Sequence, residues 1–394
     1  MPTMNAKRIL ISGSGIAGLT LAIELKRRGF DPLVIEREPR PRREGYMMDF
    51  FGTGWDVAER MGLIDRLRAV RYPIDALEFV DRDGAPYVHM PIERMRRALD
   101  QQYVYLRRQD LERILANRAD ELGIVPYYGT SLAALDDSGE AVKARLADGG
   151  ADEFALVVGA DGMHSRVREL VFGPEAQFAR FLGLYVAGFH APSDRFPLQR
   201  TVKLYEEPDR VAFLYPLDER RLDATYVFRH GEVHVPHAER LGFLRERYRG
   251  AGCIAEKVLD AHANDDPIFF DSVTQIVMPR WHRGRVALIG DACGCLTLLA
   301  GQGSHMAMAG GYVLAEELAR HADPAAAFAA YQDRLKPHVD KKQRGAARFA
   351  GLFVPKRNSW PWLRRLTIKL LFSRALLRLG LGAFGTKSVL AGSA

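Results

Sequence analysis

Gly13-Ser14-Gly15-Ile16-Ala17-Gly18 carries the G-x-G-x-x-G spacing, and Glu36 follows Gly13 by 23 residues. In this pattern the first glycine permits a tight turn, the second lets the backbone approach a pyrophosphate, and the third lets a helix pack closely on a strand. The anion then rests at the helix N-terminus, where free N–H groups and the helix dipole favour negative charge. An acid placed like Glu36 accepts hydrogen bonds from both hydroxyls of an unphosphorylated adenosine ribose. This is dinucleotide chemistry, and these residues alone suit FAD and NAD equally.

Such a site needs a strand before the glycines, a helix opened by them, and a second strand ending in the acid. Lys7 to Ser12 is a short β-rich run, and Ile16 to Arg28 places Ile16, Leu19 and Ile23 at helical spacing until Gly29 stops it. Asp31 to Arg37 then reads as a strand, completing a β-α-β unit and hence a parallel sheet. Arg108–Leu122 reads as a helix, Ala155–Ala160 and Arg285–Gly290 as further strands, and Ser304 to about Ala319 as an apolar helix. By contrast Tyr72–Met90 and Leu182–Val277 break into short runs separated by turn residues, the pattern of an antiparallel sheet. The expected fold is α/β. A discontinuous Rossmann-like nucleotide domain is built from residues 1–71, 100–178 and 278–330, with an inserted antiparallel-sheet substrate domain from 72–99 and 179–277. A basic helical C-terminal tail, 331–394, completes it, helical from about Ala315.

The chain has 394 residues, 47% hydrophobic and 27% charged, an ordinary globular composition that excludes a disulfide knot or a disordered chain. Its three cysteines, Cys253, Cys293 and Cys295, form no paired framework, and Cys293-x-Cys295 without a second pair is a poor metal site, so no metal is expected. The apolar run before the first glycines is too short for a secretory signal, so a cytoplasmic location is expected. Tyr331 to Ala394 holds 14 Lys/Arg against two acids, a net +12, which leaves −5 of the total +7 on residues 1–330. The positive charge therefore belongs to the tail, and no nucleic-acid partner is expected across the body. Within the tail, Trp360, Trp362, Leu363, Leu366, Ile368 and Leu370 alternate with Arg364, Arg365 and Lys369. That pattern suits contact with an anionic membrane surface, or packing on the nucleotide domain or a partner subunit.

Two distant segments separate FAD from NAD. Val157-Val158-Gly159-Ala160-Asp161-Gly162, continuing through Ser165, Arg166 and Arg168, and Gly290-Asp291-Ala292 with Gly301-Gln302-Gly303 join the first glycine motif in order over residues 7–320. Together they resemble the three fingerprints of the class A flavoprotein monooxygenases, the family of para-hydroxybenzoate hydroxylase and the tetracycline-inactivating monooxygenases. The resemblance makes the nucleotide domain an FAD-binding domain. It implies cofactor contacts from Gly13, Gly15, Ala17, Gly18, Glu36, Arg37, Arg108, Asp161, Asp291, Gly301, Gly303 and Ser304. Asp49 matches a flavin-contacting aspartate of the tetracycline-inactivating enzymes, and Arg42 matches their nicotinamide-cofactor arginine. Asp161 and its neighbours equally suit a helix start with solvent-facing bases. The chain departs from the family after Asp291, where Cys293-Gly294-Cys295-Leu296-Thr297-Leu298-Leu299-Ala300 replaces a histidine and two prolines.

No second strand-linked G-x-G-x-x-G occurs, so no separate NAD(P)H domain is expected. The resemblance implies NAD(P)H as co-substrate, reducing FAD by transient contact. Oxygen transfer through a C4a-hydroperoxyflavin to an aromatic or polycyclic small molecule then follows, with desaturation, cyclisation or reduction without oxygen insertion as the alternative, and a membrane-associated flavin scaffold as a third reading. The residues leave the catalytic acid or base unassigned. His305 lies nearest the expected flavin, though a lone helical histidine more often packs. Tyr46, Met47, Met48, Phe50 and Phe51 suit core or a ring-lining wall, and the alternation of Phe189, Tyr205, Phe213 and Tyr215 would place some of them on a pocket face of the sheet domain.

Overall fold

The structure, a computed structural model, describes residues 8–41, 46–193, 196, 198–262, 267–297, 301–356, 360–372 and 388–390. The chain opens with β1 (Arg8–Ser12), α1 (Ile16–Arg27) and β2 (Asp31–Glu36), then β3 (Met47–Phe51), α2 (Thr53–Arg60) and α3 (Ile64–Ala69). A hairpin of β4 (Ala76–Val80) and β5 (Pro86–Pro91) leads through α4 (Ile92–Ala98) to β6 (Tyr103–Arg107), α5 (Arg108–Glu121) and β7 (Tyr127–Tyr128). A three-stranded flap, β8 (Leu132–Asp137), β9 (Val142–Leu146) and β10 (Ala151–Phe154), precedes β11 (Leu156–Gly159) and α6 (Arg166–Phe172). Then come β12 (Ala179–Pro192), β13 (Thr201–Glu207), β14 (Arg210–Pro216), β15 (Arg221–Arg229), α7 (Arg240–Tyr248), α8 (Cys253–Ala261) and β16 (Phe269–Ile276). The chain continues with β17 (His282–Arg283), β18 (Val286–Leu288), α9 (Asp291–Gly294), α10 (Gly303–Arg320), α11 (Pro324–Phe353) and α12 (Pro361–Leu371).

The first sheet has the order β17-β18-β11-β1-β2-β7, parallel except for the β17–β18 hairpin. Its central strands are buried on both faces, the burial a parallel sheet between helices requires. Register aligns Ser12 with both Ile35 and Gly159, and Gly159 with Leu288. The residues that follow each strand therefore emerge side by side at one carboxyl edge, where open α/β sheets bind ligands. Helix α1 packs against α10 at a contact only small residues allow: a Cβ on Gly311 would lie 2.8 Å from the Ala17 carbonyl oxygen.

The second sheet runs β16-β12-β15-β14-β13-β4-β5. It is antiparallel as expected, except that β13 pairs parallel with β4. No hairpin dictates their relative direction, because β4 ends at Val80 and β13 begins only at Thr201. One face of this sheet, with Tyr185, Phe189, Tyr205, Tyr226 and Phe228, packs under α7 and α8. Of the four residues whose alternation was expected to turn some toward a pocket, Phe189 and Tyr205 are thus core. The opposite face carries Val186, Val211, Val227, Phe213 and Tyr215 toward α11 and the β3–β6 ribbon.

Helix α10 runs unbroken through Ala315 to Arg320, and α11 starts at Pro324. Asp323 caps α11 by accepting from the Ala325 and Ala326 N–H groups, and Pro324 suits the first turn. Helix α11 crosses the expected 330/331 boundary without a break and spans both sheets. Tyr331 is buried against Leu288, while Phe353 stacks on Phe213 with ring centroids 5.3 Å apart.

Candidate active site

Four strand ends build the site. After β1, Gly13 takes φ +111°, and a Cβ there would collide with the Ala160 carbonyl; a Cβ on Gly18 would collide with the Gly13 carbonyl. These two glycines are required by the protein's own packing. Gly15 differs. Its φ of −74° and ψ of −173° suit any residue, and a Cβ there would meet only Glu112 Oε1, at 3.8 Å. The first turn of α1 holds no acid and Gly15 supplies no capping side chain, so this helix start suits an anion as its partner. At the end of β2, Glu36 accepts from Ser14 N (2.9 Å), Ser14 Oγ (3.1 Å) and Glu38 N (3.1 Å), which fixes its carboxylate beside the glycine loop. Arg37 is exposed and lies 3.5 Å from Glu38.

After β18, Gly290 turns at φ +60° and Asp291 starts α9. A Cβ on Gly303, the first residue of α10, would lie 3.9 Å from Asp291 Oδ1. Ser304 follows in the same turn, and like α1 this helix has no acid in its first turn and no side-chain cap. Gly301, at φ +61°, is exposed with open space around it. Arg108, at the start of α5, pairs with Glu112 at 2.8 Å and lies within electrostatic reach of Tyr46 and Asp291. Burial pushes the Asp291 carboxyl up from the usual range while Arg108 draws it down. Two helix N-termini without side-chain caps, one arginine fork and a ribose-type acid thus meet at one sheet edge. This donor set fits a dinucleotide with its pyrophosphate at α1.

Asp161, after β11, takes a different role. Its carboxylate accepts from Ser165 Oγ, Arg166 N (2.8 Å) and Val167 N (3.1 Å), so it fastens the start of α6. The bases that follow are not all solvent-facing. Arg168 is fully buried, donating to the Ala292 carbonyl (3.0 Å), the Met163 carbonyl (2.7 Å) and Glu175 (2.7 Å). It ties the Asp161 segment to the Asp291 segment from beneath. Arg42 lies outside the described residues.

Strand β3 is the wall between this edge and the second sheet. Tyr46, just before it, sits near Arg108 and Asp291, and burial lifts its phenol to about 12. The Asp49 carbonyl accepts from His305 Nε2 of α10 at 3.1 Å. His305 packs edge-on against Phe50 and Phe51, and burial lowers its pKa to about 4, so it is a neutral packing histidine. The Asp49 carboxyl turns away from α10 to hydrogen-bond Tyr103 and Tyr105, and burial raises its pKa. On the facing sheet, strand register sets His190, Asp223 and Tyr215 in one transverse row. Asp223, 2% exposed, accepts from Met47 N at 3.2 Å, and its Oδ1 lies 3.7 Å from His190 Nδ1. Burial lifts this carboxyl to about 7. Tyr215 lies in electrostatic contact with Asp49 and Asp223.

The sequence reading missed Asp223 and Glu112. Only the β14–β15–β12 register, invisible without the structure, reveals Asp223. It also missed the clasp on the loop after α9. Gln343 Nε2 of α11 donates to the Ile276 (2.7 Å) and Cys295 (3.0 Å) carbonyls, while Gln275 Nε2 donates to the Leu296 (3.0 Å) and Gln343 (2.8 Å) carbonyls. Beside this clasp Thr297, a β-branched residue, stands at φ +135° with its buried hydroxyl unpartnered. Backbone strain of this kind concentrates at working sites. Cys293 and Cys295 are buried free thiols, and burial pushes both upward in pKa, so neither is a thiolate at neutral pH.

Comparison with known proteins agrees with this geometry. The family model for an FAD binding domain matches residues 7–344. A flavin-dependent monooxygenase from an unknown prokaryotic organism is 31% identical over 347 residues, covering 86% of this chain and 88% of that protein. The crystal structure of the tetracycline destructase Tet(55) superposes with a TM-score of 0.83 at 28% identity, covering 99% of both chains. At 20% identity, Klebsiella pneumoniae HpxO complexed with FAD and uric acid shares the fold, with a TM-score of 0.79 over 99% of this chain and 98% of that one. The chain belongs to the FAD-binding-domain family, as a flavoprotein monooxygenase of the class A type.

Proposed function

We propose that this chain is an NAD(P)H-using hydroxylase of an aromatic or polycyclic small molecule. The observation that carries the reading is the wall β3, which sets a dinucleotide edge (Gly15, Arg108, Asp291 and the α10 N-terminus) against a sheet face bearing Tyr215, Asp223 and His190. Gly15, Glu36, Arg108, Asp291, Gly303 and Ser304 would hold FAD. When bound, that group accepts a hydride from NAD(P)H and activates oxygen at a ring the protein keeps dry. Arg42 is the proposed contact for the nicotinamide cofactor, which has no domain of its own among the described residues.

The chain's own residues handle binding and protons. Tyr215, partly buried against the Tyr103 and Tyr105 rings that back it, offers flat apolar surface with a hydroxyl handle, suited to a ring system. Asp223 holds a proton on its carboxyl below about pH 7 and releases it above, and His190 is the adjacent acceptor toward solvent. A phenolic or enolic substrate donating to Asp223 becomes more electron-rich as its proton shifts. One oxygen atom then enters the product and the other leaves as water, with NAD(P)H supplying two electrons. The name of the tetracycline destructase Tet(55), 28% identical, supports a polycyclic substrate.

The test is NAD(P)H consumption by the FAD-loaded protein against a panel of phenolic polycycles under isotopically labelled oxygen. Labelled hydroxylated product supports the reading. The loop after α9 favours a second reading, oxidation without oxygen insertion, because the segment that departs from the resembled family pattern ends in strained Thr297. Stoichiometric peroxide with an unlabelled, oxidised product would identify that outcome.

A further inference from the structure

Helix α12 is turned the wrong way for a surface helix of a water-facing protein. It points Arg364 inward, where the guanidinium donates to Glu206 (2.8 and 2.7 Å) and to the Phe353 carbonyl (3.0 Å). Ile368 is buried with Phe79 and Val88, and Phe372 packs on Phe79 at 5.3 Å, so the helix is seated firmly on the second sheet. Outward it presents Trp362, Leu363, Leu366 and Leu370, with Trp360 just before it, each between 47% and 65% exposed. At 100° per residue these four helical positions form one stripe, and Arg365 and Lys369 run along its edge. Contiguous exposed apolar surface of this kind marks an interaction site.

Charge selects the occupant. From Lys341 to Ala394 the chain contains no acidic residue, so the segment that follows α12, with Arg374, Arg378 and Lys387, cannot neutralise Arg365 and Lys369. A second copy docked on the same face would set these cations against their own equivalents. The occupant must be apolar inside and anionic at its rim, and it meets two tryptophans, whose rings favour the boundary between hydrocarbon and water. No helix of the described residues is long and apolar enough to cross a membrane, so contact lies in the surface plane. We propose that the exposed face of α12 seats the protein on an anionic lipid surface, with the indoles and leucines among the acyl chains and Arg365 and Lys369 reaching the headgroups.

The test is co-sedimentation of the FAD-loaded full chain with phosphatidylcholine vesicles, with and without phosphatidylglycerol, alongside tryptophan fluorescence. Trp55 and Trp281 are buried, so a blue shift on vesicle addition reports Trp360 and Trp362. Binding to the phosphatidylglycerol vesicles that weakens with salt is the expected result. The Leu366→Gln/Leu370→Gln double variant should lower it at least roughly tenfold, and Arg365→Gln/Lys369→Gln about 25-fold, both with flavin content and melting temperature unchanged. No partitioning to either vesicle overturns the proposal. So does a dimer dissolved by the leucine variant, which would make the occupant a second copy, or capture of an acidic protein without lipid binding. Flavin content is read in every sample, so loss of the cofactor reading is distinguishable from loss of this one.

Discussion

Replacing Asp223 by asparagine should make the protein more stable at alkaline pH and less active. The carboxyl is buried at the seam between β3 and the second sheet, accepting from the Met47 N–H at 3.2 Å, and burial lifts its pKa from 3.8 to about 7. The unfolded chain keeps an ordinary carboxyl. A folded pKa above the unfolded one contributes stability that is complete below about pH 4 and is lost as pH rises through 7. A shift of about three units corresponds to roughly 4 kcal/mol between those limits, an upper bound because a buried carboxylate draws in water. The substituted asparagine still accepts from Met47 through its amide oxygen but never ionises. The parent-to-variant difference in urea-unfolding free energy should therefore be near zero at pH 4 and grow to roughly 2–4 kcal/mol in favour of Asp223→Asn at pH 8. Substrate-dependent turnover should fall at the same time, a stability–function exchange expected of a strained site. Equal stability at pH 8, or a gain that does not change with pH, would show the carboxyl ionised and solvated in the folded state, and Asp223 would lose its role.

Three further outcomes follow from individual contacts. Gly15→Val should fold normally yet purify without flavin, because its Cβ fits the protein but occupies the pyrophosphate's space, whereas Gly18→Val should fail to fold; full flavin in Gly15→Val would defeat the motif assignment. Gln343→Leu removes two buried donors from the Ile276 and Cys295 carbonyls and should cost about 2–3 kcal/mol in urea unfolding, with peroxide leakage rising as the loop after α9 loosens. His305, with a folded pKa of about 4 against 6.5 unfolded, should make stability fall as pH drops from 6.5 to 4, by about 3 kcal/mol in all. His305→Gln should flatten that slope, and an unchanged slope would contradict a neutral, buried ring.

The cofactor edge was legible in the sequence because each of its parts is local. A glycine needed for its φ, an acid at a strand end and a helix opened by small residues are all written within a few residues of one another. The pairings that gather them follow from the general rule that parallel strands share a carboxyl edge. Asp161 shows where local reading misleads, since its neighbours Ser165, Arg166 and Val167 supply three donors that the same pattern does not distinguish from a ligand's. The substrate side was far less legible. His190, Asp223 and Tyr215 are separated by strand turns, and only the register of three strands puts them on one row. Alternation along single strands suggested Phe189 and Tyr205 for the pocket, but it cannot say which of two faces looks toward β3.

The same limit explains the loop after α9. By sequence it is a departure, with the histidine and two prolines of the resembled family pattern missing after Asp291. In the structure the stiffness is supplied from outside. Proline restrains its own φ, whereas here Gln275 and Gln343, from a strand and a helix far along the chain, hold the Cys295 and Leu296 carbonyls, while Thr297 is left in a conformation it would not adopt alone. A restraint made of tertiary hydrogen bonds depends on α11 staying docked across both sheets. The backbone from Cys295 to Thr297 is thereby linked to the seating of α11.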